Sequence, residues 1–308
     1  MYKNIRAAVA GSINMDIIFN MERMPEAGEN VLGKEYSYSF GGKGANQATA
    51  LARLGAKTAM IGKVADDENG HKLLDNLLKN GIDVSAVSKE GTNTGLAAIL
   101  IDGNGRNRIV VYEGANAEID AEEAANNIDG NLDLLLVQFE TSEDVVAECI
   151  NRAVQKGITT VVDCGPAKNL ALERMQGATV ITPNESETKA LTGIYPDSEE
   201  KILEASKILF ERSKAKYIVL KLGERGCSVW NGESLRFLPA YKTDVVDTTA
   251  AGDCFTAAMA LEYIRSGDIY TACDFGNKAG SIAVSRMGAA SSMPSIDDLL
   301  KLSKTKSL

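Results

Sequence analysis

LLLVQFETSEDVVAECINRAVQKGITTVVD, residues 134–163, is the stretch whose reading decides the fold. Leu134 to Val137 is an unbroken apolar run of strand length, and residues 158–163 (ITTVVD) form a second, β-branched one. Residues 142–156 between them carry apolar side chains at helical spacing. Two strands with no polar face, joined by a helix, read as a βαβ unit: parallel strands covered on both sides. The alternation extends downstream through a strand at 178–182, a helix at 198–213 and a strand from Tyr217 to Leu220. Cys227 to Phe237 is expected to be a hairpin on an Asn231-Gly232 turn. Upstream, Arg6 to Gly11 and Thr58 to Val64 read as strands, and an amphipathic helix follows Asp66-Asp67-Glu68 and stops at Gly81. Residues 20–40 and a hairpin of 96–101 with 108–112 break this rhythm, and are assigned with the segment from residue 12 to a separate small sheet. The expected fold is α/β: a Rossmann-like, mostly parallel sheet with helices on both faces, plus a small β-sheet lid.

Composition narrows the function. A net charge of −9 with no Lys/Arg cluster argues against a nucleic-acid partner. Five scattered cysteines without a CxxC indicate neither a zinc site nor a disulfide framework, and buried thiols in a reducing cytosol are expected. Neither a signal-peptide pattern nor an apolar stretch of about 20 residues is present, so a cytoplasmic location away from membranes is expected. The single histidine, His71, sits in a polar helical segment, which disfavours histidine-based chemistry.

Two glycine turns carry the chemistry. In DTTAAGDCFTAAMA (247–260) a β-branched run, Thr243 to Val246, read as a strand, leads through Ala250, Ala251 and Gly252 into a helix. A helix start without blocking side chains presents orphan N–H groups and the positive end of the helix dipole, which together suit an anion. Asp253 there is either a helix cap or a base that takes a proton from an attacking hydroxyl. In FGGKGANQA (40–48) the glycines let a ligand approach the backbone, and Asn46 lies one turn inside the helix that follows. This is neither a phosphate-binding GxxxxGK[ST] loop nor a dinucleotide GxGxxG. Asn14 and Asp16 share one face of an extended segment and could bond adjacent hydroxyls. Asn14, Glu140, Asn184, Gly223 and Asp247 all follow apolar runs, at strand ends where ligands of such sheets bind.

Taken together, GGKGANQA and DTTAAGD, with GSINMD at 11–16 and RMGAASSMP at 286–294, resemble the PfkB family of carbohydrate kinases over essentially the whole chain. The resemblance implies one kinase domain, 1–308, whose lid comprises about 12–40 and 94–114. It implies that Asn14, Asp16, Gly42, Lys43, Asn46 and Glu140 bind the sugar. Asp253 would be the base, and Ala250, Ala251 and Gly252 the amide site for the transferred group. Asn184, Lys221, Leu222, Gly223, Glu224, Arg225, Gly226, Gly252 and Asn277 would bind ATP, with Glu187 placing Mg2+ indirectly. A K+ activator would lie among Asp247, Thr249, Ala283, Arg286, Gly288 and Ser292. The implied activity is transfer of the γ-phosphoryl group of MgATP to the primary hydroxyl of ribose, in a homodimer formed through the lid. Asp163-Cys164-Gly165-Pro166 departs from the Asn-Pro-Ala-Pro run common among ribose-phosphorylating members, which leaves deoxyribose, fructose, a keto-sugar acid or a nucleoside as alternatives. A non-catalytic sugar-binding regulator would be expected to lack Asp253 or Gly252, and both are present.

Overall fold

The structure, a computed structural model, describes residues 2–166, 168 and 170–305. Its large sheet is built from β1 (Arg6–Ala10), β4 (Lys57–Ala65), β5 (Asp83–Gly91), β8 (Leu134–Gln138), β9 (Thr159–Asp163), β10 (Val180–Thr182), β11 (Tyr217–Lys221), β12 (Cys227–Trp230) and β13 (Leu235–Leu238). They lie in the order β13-β12-β11-β10-β9-β8-β1-β4-β5, parallel from β11 to β5, with β12 and β13 antiparallel at one edge. A second sheet, β3-β2-β6-β7, contains β2 (Asn14–Met21), β3 (Gly33–Gly41), β6 (Gly95–Ile101) and β7 (Asn107–Tyr112). This matches the small sheet expected from residues 12–40 and the 96–112 hairpin.

Alternation along the central strands fills two cores. Ala7 and Val9 of β1, Leu134 and Leu136 of β8 and Val161 of β9 face one layer, while Ala8, Ala10, Leu135, Val137 and Val162 face the other. The first layer holds α1 (Lys43–Arg53), α2 (Glu68–Lys79), α7 (Ala251–Ser266), α8 (Ile269–Val284) and α9 (Ile296–Thr305). The second holds α3 (Ala121–Asn126), α4 (Glu143–Gln155), α5 (Glu185–Thr192) and α6 (Glu199–Ser213). Full burial of each large aliphatic side chain contributes about 1.5–3 kcal/mol, so the nearly continuous apolar runs that define the central strands also hold them in place. Local signals set the helix starts: Asp67, Asp120, Ser142, Asn184 and Ser198 each accept a backbone N–H of the first turn.

Two elements depart from the sequence reading. Residues Thr243 to Val246, expected to be strand, have no ladder partner. Val245 and Val246 are exposed, and the N–H groups of Val246 and Asp247 both donate to Val284 O (2.7 and 3.1 Å). Their β-branched side chains favour extended backbone, but the sheet already ends at β13, so the segment crosses to the end of α8 as a loop. Asp247 therefore follows a loop rather than a sheet strand. Strand β5 was not anticipated. It is the opposite edge, polar and largely exposed, with little of the burial that makes central strands legible.

Candidate active site

The candidate site forms where the C-terminal ends of β1, β8, β9, β10 and β11 face the first turns of α1 and α7. Gly42 precedes α1 with φ 88°, and a Cβ there would come within 2.8 Å of Asn14 N and Ser12 O. Only glycine allows the turn to press against the segment after β1. Its neighbour Lys43 donates its backbone N–H to Glu140 Oε2 (3.0 Å), and Ser12 Oγ donates to the same oxygen (2.5 Å). Three separate segments are thereby tied together.

Asp253 lies in the first turn of α7 and is buried. It does not cap its helix. The cap position is Ala250, held at φ 57°, ψ 10°, without a side-chain cap. Asp253 Oδ2 accepts from Asn46 Nδ2 (3.0 Å), and its Oδ1 accepts from Gln47 Nε2 (3.2 Å) and Lys43 Nζ (3.3 Å). Left-handed backbone costs a non-glycine residue about 1–2 kcal/mol. Among the described residues only Ala250 and Lys214 adopt it without being glycine. The Ala251 N–H donates to Thr248 O (3.3 Å), whereas the N–H groups of Ala250 and Gly252 have no partner among the described residues. A Cβ on Gly252 would have Lys221 Nζ, at 3.7 Å, as its nearest neighbour.

Asp163, at the end of β9, is the charged hub beneath this surface. Fully buried, its Oδ2 accepts from Lys221 Nζ (3.0 Å), Gln47 Nε2 (3.1 Å) and Thr256 Oγ1 (3.2 Å). Its Oδ1 accepts from Gly165 N (3.1 Å) and Lys43 Nζ (3.5 Å). Burial raises its carboxyl, but Lys221, Lys43 and the hydrogen bonds outweigh that and lower it to about 2. Lys43 is held well above its ordinary value: burial opposes its charge, and Asp163, Asp253, Glu187 and Glu140 more than compensate. In the sequence Asp163 stands out only as a departure from the family's usual run, and neither Gln47 nor Thr256 is marked for a role. The available signal for Asp163 was an acid ending a buried apolar strand.

The other expected residues fall into three groups. Asn14 and Glu140 line a cavity of about 510 Å³ together with Tyr112, Glu113 and Asn116 of the small sheet and its exit. Asp16 is buried next to Gly41 and is pushed up to about 7 by burial, then by the charges of Glu140 and Asp253. Asn46 Oδ1 is buried without a partner among the described residues. The second group surrounds the end of β11. Asn184 and Glu187 form a capping box at the start of α5, with both Glu187 oxygens accepting from Asn184. Lys221 points at Asp163. Leu222 to Gly226 form a tight turn in which Gly226 (φ 91°) packs against Leu238 O. Arg225 pairs with Glu185 at 2.7 Å, and Glu224 is exposed. Asn277 donates from α8 to Leu238 O and Pro239 O.

The third group lies beside α7. Asp247 accepts from Thr249 N (2.9 Å) and Gly288 N (2.8 Å), while Ala283 O accepts from Arg286 N. Ser292 Oγ, in the following turn, donates to Ala289 O.

A parallel sheet that gathers a carboxylate, two lysines and a bare helix start at its strand ends defines an α/β phosphoryl-transfer enzyme. The chain belongs to the pfkB family of carbohydrate kinases, whose profile matches residues 4–296. It is 35% identical to a ribokinase of Bacillus subtilis over 297 residues, 96% of this chain and 98% of that protein. It is 32% identical to a deoxyribokinase of Salmonella typhi over 94% of this chain and 96% of that one. The structure of Arabidopsis thaliana ribokinase complexed with ribose and ATP superposes with a TM-score of 0.88 at 30% identity, covering 98% of this chain and 99% of the other.

Proposed function

We propose that this carbohydrate kinase transfers the γ-phosphoryl group of ATP to the primary 5-hydroxyl of D-ribose, giving ribose 5-phosphate and ADP. The arrangement around Asp253 carries the reading. Its carboxylate sits between the glycine turn of α1 and the bare start of α7, fixed by Asn46, Gln47 and Lys43. A sugar held by Asn14, Asp16, Gly42, Asn46 and Glu140 would present its hydroxyl to Asp253. Asp253 takes the hydroxyl proton as the oxygen bonds to phosphorus and the bond to the leaving diphosphate breaks. The unpartnered N–H groups of Ala250 and Gly252, with Lys43 and Lys221, face charge on the transferred group. The unpartnered Oδ1 of Asn46 suits a sugar hydroxyl donor.

ATP is assigned to the end of β11: Lys221 to Gly226, Asn184 and Asn277. No cluster of three or more acidic, histidine or cysteine ligands occurs among the described residues. With both oxygens of Glu187 already accepting from Asn184, the site fits a Mg2+ carried mainly by nucleotide phosphates and only indirectly by Glu187. Bound Mg2+ supplies charge neutralisation across those phosphates. The Asp247 carboxylate with the carbonyls of Thr249, Ala283, Arg286, Gly288 and Ser292 offers hard oxygen donors suited to K+, which would stiffen the start of α7.

The whole chain is read as one kinase domain in which the 12–40 and 94–114 segments close over the sugar and exclude water. The outer face of this sheet exposes Tyr36, Tyr38, Val110 and Tyr112, a surface suited to a second copy of the chain. The five buried free thiols suit a cytoplasmic location, and among the described residues no helix is long and apolar enough to cross a membrane. Asp163, standing where Asn is common among ribose kinases, and the similarity to a deoxyribokinase favour deoxyribose as the second reading.

The test is ADP release against pentoses, deoxypentoses, hexoses and nucleosides, with and without K+. Ribose is expected to turn over fastest, with K+ stimulation; a different preferred sugar would refute the substrate. Asp253→Asn should keep ribose binding by calorimetry while kcat falls about 10²–10⁴-fold, and retained turnover would remove Asp253 as the base.

A further inference from the structure

Asn116 lies outside every role considered so far. It sits in the single 3-10 turn Gly114–Glu118 that follows β7, and it is 1% exposed. Its Oδ1 accepts from Ile13 N (2.9 Å). Its Nδ2 donates to Asn14 Oδ1 (2.7 Å) and to Glu113 O (2.9 Å). The surroundings are built closely around this contact. A Cβ on Gly95 would strike both Asn116 Nδ2 and Asn14 Oδ1, and one on Gly114 (φ 50°) would lie 2.5 Å from Asn93 O.

These bonds fix the direction of two amides. A side-chain amide can turn over at little cost in shape, exchanging its donor for its acceptor. Asn116 cannot turn, because the Ile13 N–H needs an acceptor and the Glu113 carbonyl needs a donor. Asn14 then cannot turn either, since its oxygen is taken by Asn116. Its Nδ2 is left as the group it presents at the wall of the 510 Å³ cavity shared with Glu140 and Glu113. Glu140 in the same wall is an acceptor, so these two residues together offer a donor and an acceptor to neighbouring hydroxyls.

We infer that Asn116 is a positioning residue for sugar selection: it locks Asn14 with its donor toward the sugar and so fixes which hydroxyl lone pair the site accepts. This rests on the reading of Asn14 as a sugar ligand. The polarity runs from the Ile13 backbone through Asn116 and Asn14 to the substrate. Reversing it at any link should weaken sugar binding and leave the ATP side alone, since neither amide touches the phosphoryl-transfer residues.

The experiment is steady-state kinetics with D-ribose and ATP on three variants and one double variant. Asn116→Asp keeps the acceptor for Ile13 N–H but sets oxygen against Asn14 Oδ1 and Glu113 O. Asn14→Asp keeps the bond from Asn116 and removes only the donor face, so it serves where Asn116→Asp folds poorly. Both should raise the ribose KM by about 10–100-fold, with kcat and the ATP KM within about 3-fold of wild type. Asn14→Ala should raise the ribose KM similarly, and adding Asn116→Asp to it should change little more, because the two act through one contact. If Asn14→Ala leaves the ribose KM unchanged, Asn14 is no sugar ligand and the site reading falls together with the inference. If Asn14→Ala raises it while Asn14→Asp, or folded Asn116→Asp, binds ribose like wild type, the inference alone is overturned. Additive losses in the double variant would likewise overturn it.

Discussion

Replacing Asp163 by Asn tests whether the buried carboxylate organises the site. Five donors converge on Asp163: Lys221, Gln47 and Thr256 on one oxygen, Lys43 and the Gly165 N–H on the other. An amide has one oxygen, so either orientation sets an NH2 group against at least two donors and leaves two lysines without their shared counter-charge. Lowering the carboxyl from 3.8 to about 2 corresponds to about 2–3 kcal/mol of native stabilisation. Breaking a buried ion pair from one side typically costs about 3–5 kcal/mol. The two routes agree on roughly 3 kcal/mol. At about 2.1 cal/mol/K per residue, the unfolding entropy of a chain of 308 residues is about 0.65 kcal/mol/K, and Tm should fall by about 5 °C. Because the folded carboxyl lies below its unfolded value, this stability is fully present above about pH 4 and is lost only as pH falls toward 2. The Tm gap measured by circular dichroism should therefore be the same at pH 5 and pH 8. Adding Lys221→Met should recover part of the loss by removing one stranded charge. A Tm within about 1 °C of wild type, or a gap that changes between pH 5 and pH 8, would refute the account of Asp163 as a paired, ionised hub.

Gly252→Ala should fold normally, since the added Cβ meets nothing nearer than Lys221 Nζ at 3.7 Å, yet ADP release should drop by about 10²-fold or more because the methyl group enters the amide site. Normal turnover would move phosphoryl transfer away from the start of α7. Asp16→Asn should be progressively more stable than wild type as pH rises from 4 to 7, with a constant difference above that. The folded carboxyl, raised to about 7 by burial, holds a proton that the unfolded chain has already released. Thermal melts across that range check it, and a Tm difference independent of pH would show that Asp16 is ionised in the fold.

The sheet was legible where strands are buried on both faces. Leu134 to Val137 and Thr159 to Asp163 have no polar face, so only a covered, parallel position accommodates them. The same logic failed at the edges. The composition of β5 is that of a surface segment, and Val245 and Val246 have the composition of a strand although they cross between elements exposed. Within the site, each glycine turn could be read because backbone constraints are local, as at Gly42. The partners of Asp253 could not. Lys43, Asn46 and Gln47 stand more than 200 positions away in sequence, and only the packing of α1 against α7 brings them within 3.3 Å. Asp163 was visible as an acid at a strand end, but its five donors come from four separate segments. Asn116 carried no signal at all, because an amide that orients another amide has no spacing to betray it.

On the proposed reading, the placement of charge lets a base and an anion site coexist. A bare helix start attracts negative charge, and Asp253 beside it would compete with a phosphoryl group for the same amides if its side chain turned back onto them. It does not: the Ala250 cap is left-handed, and the carboxylate is drawn away by donors of α1, leaving the Ala250 and Gly252 N–H groups free. Lys43 and Lys221 both pair with Asp163, so on the proposed reading the two cations of the phosphoryl site are compensated before a nucleotide binds. Strain at Ala250, about 1–2 kcal/mol, is maintained by a network worth more than that. Asp163 and Lys221, buried at the ends of β9 and β11, thus hold charge beneath the site, while the cavity wall beside them draws on Asn14 of β2, Glu140 after β8 and Asn116 in the turn after β7.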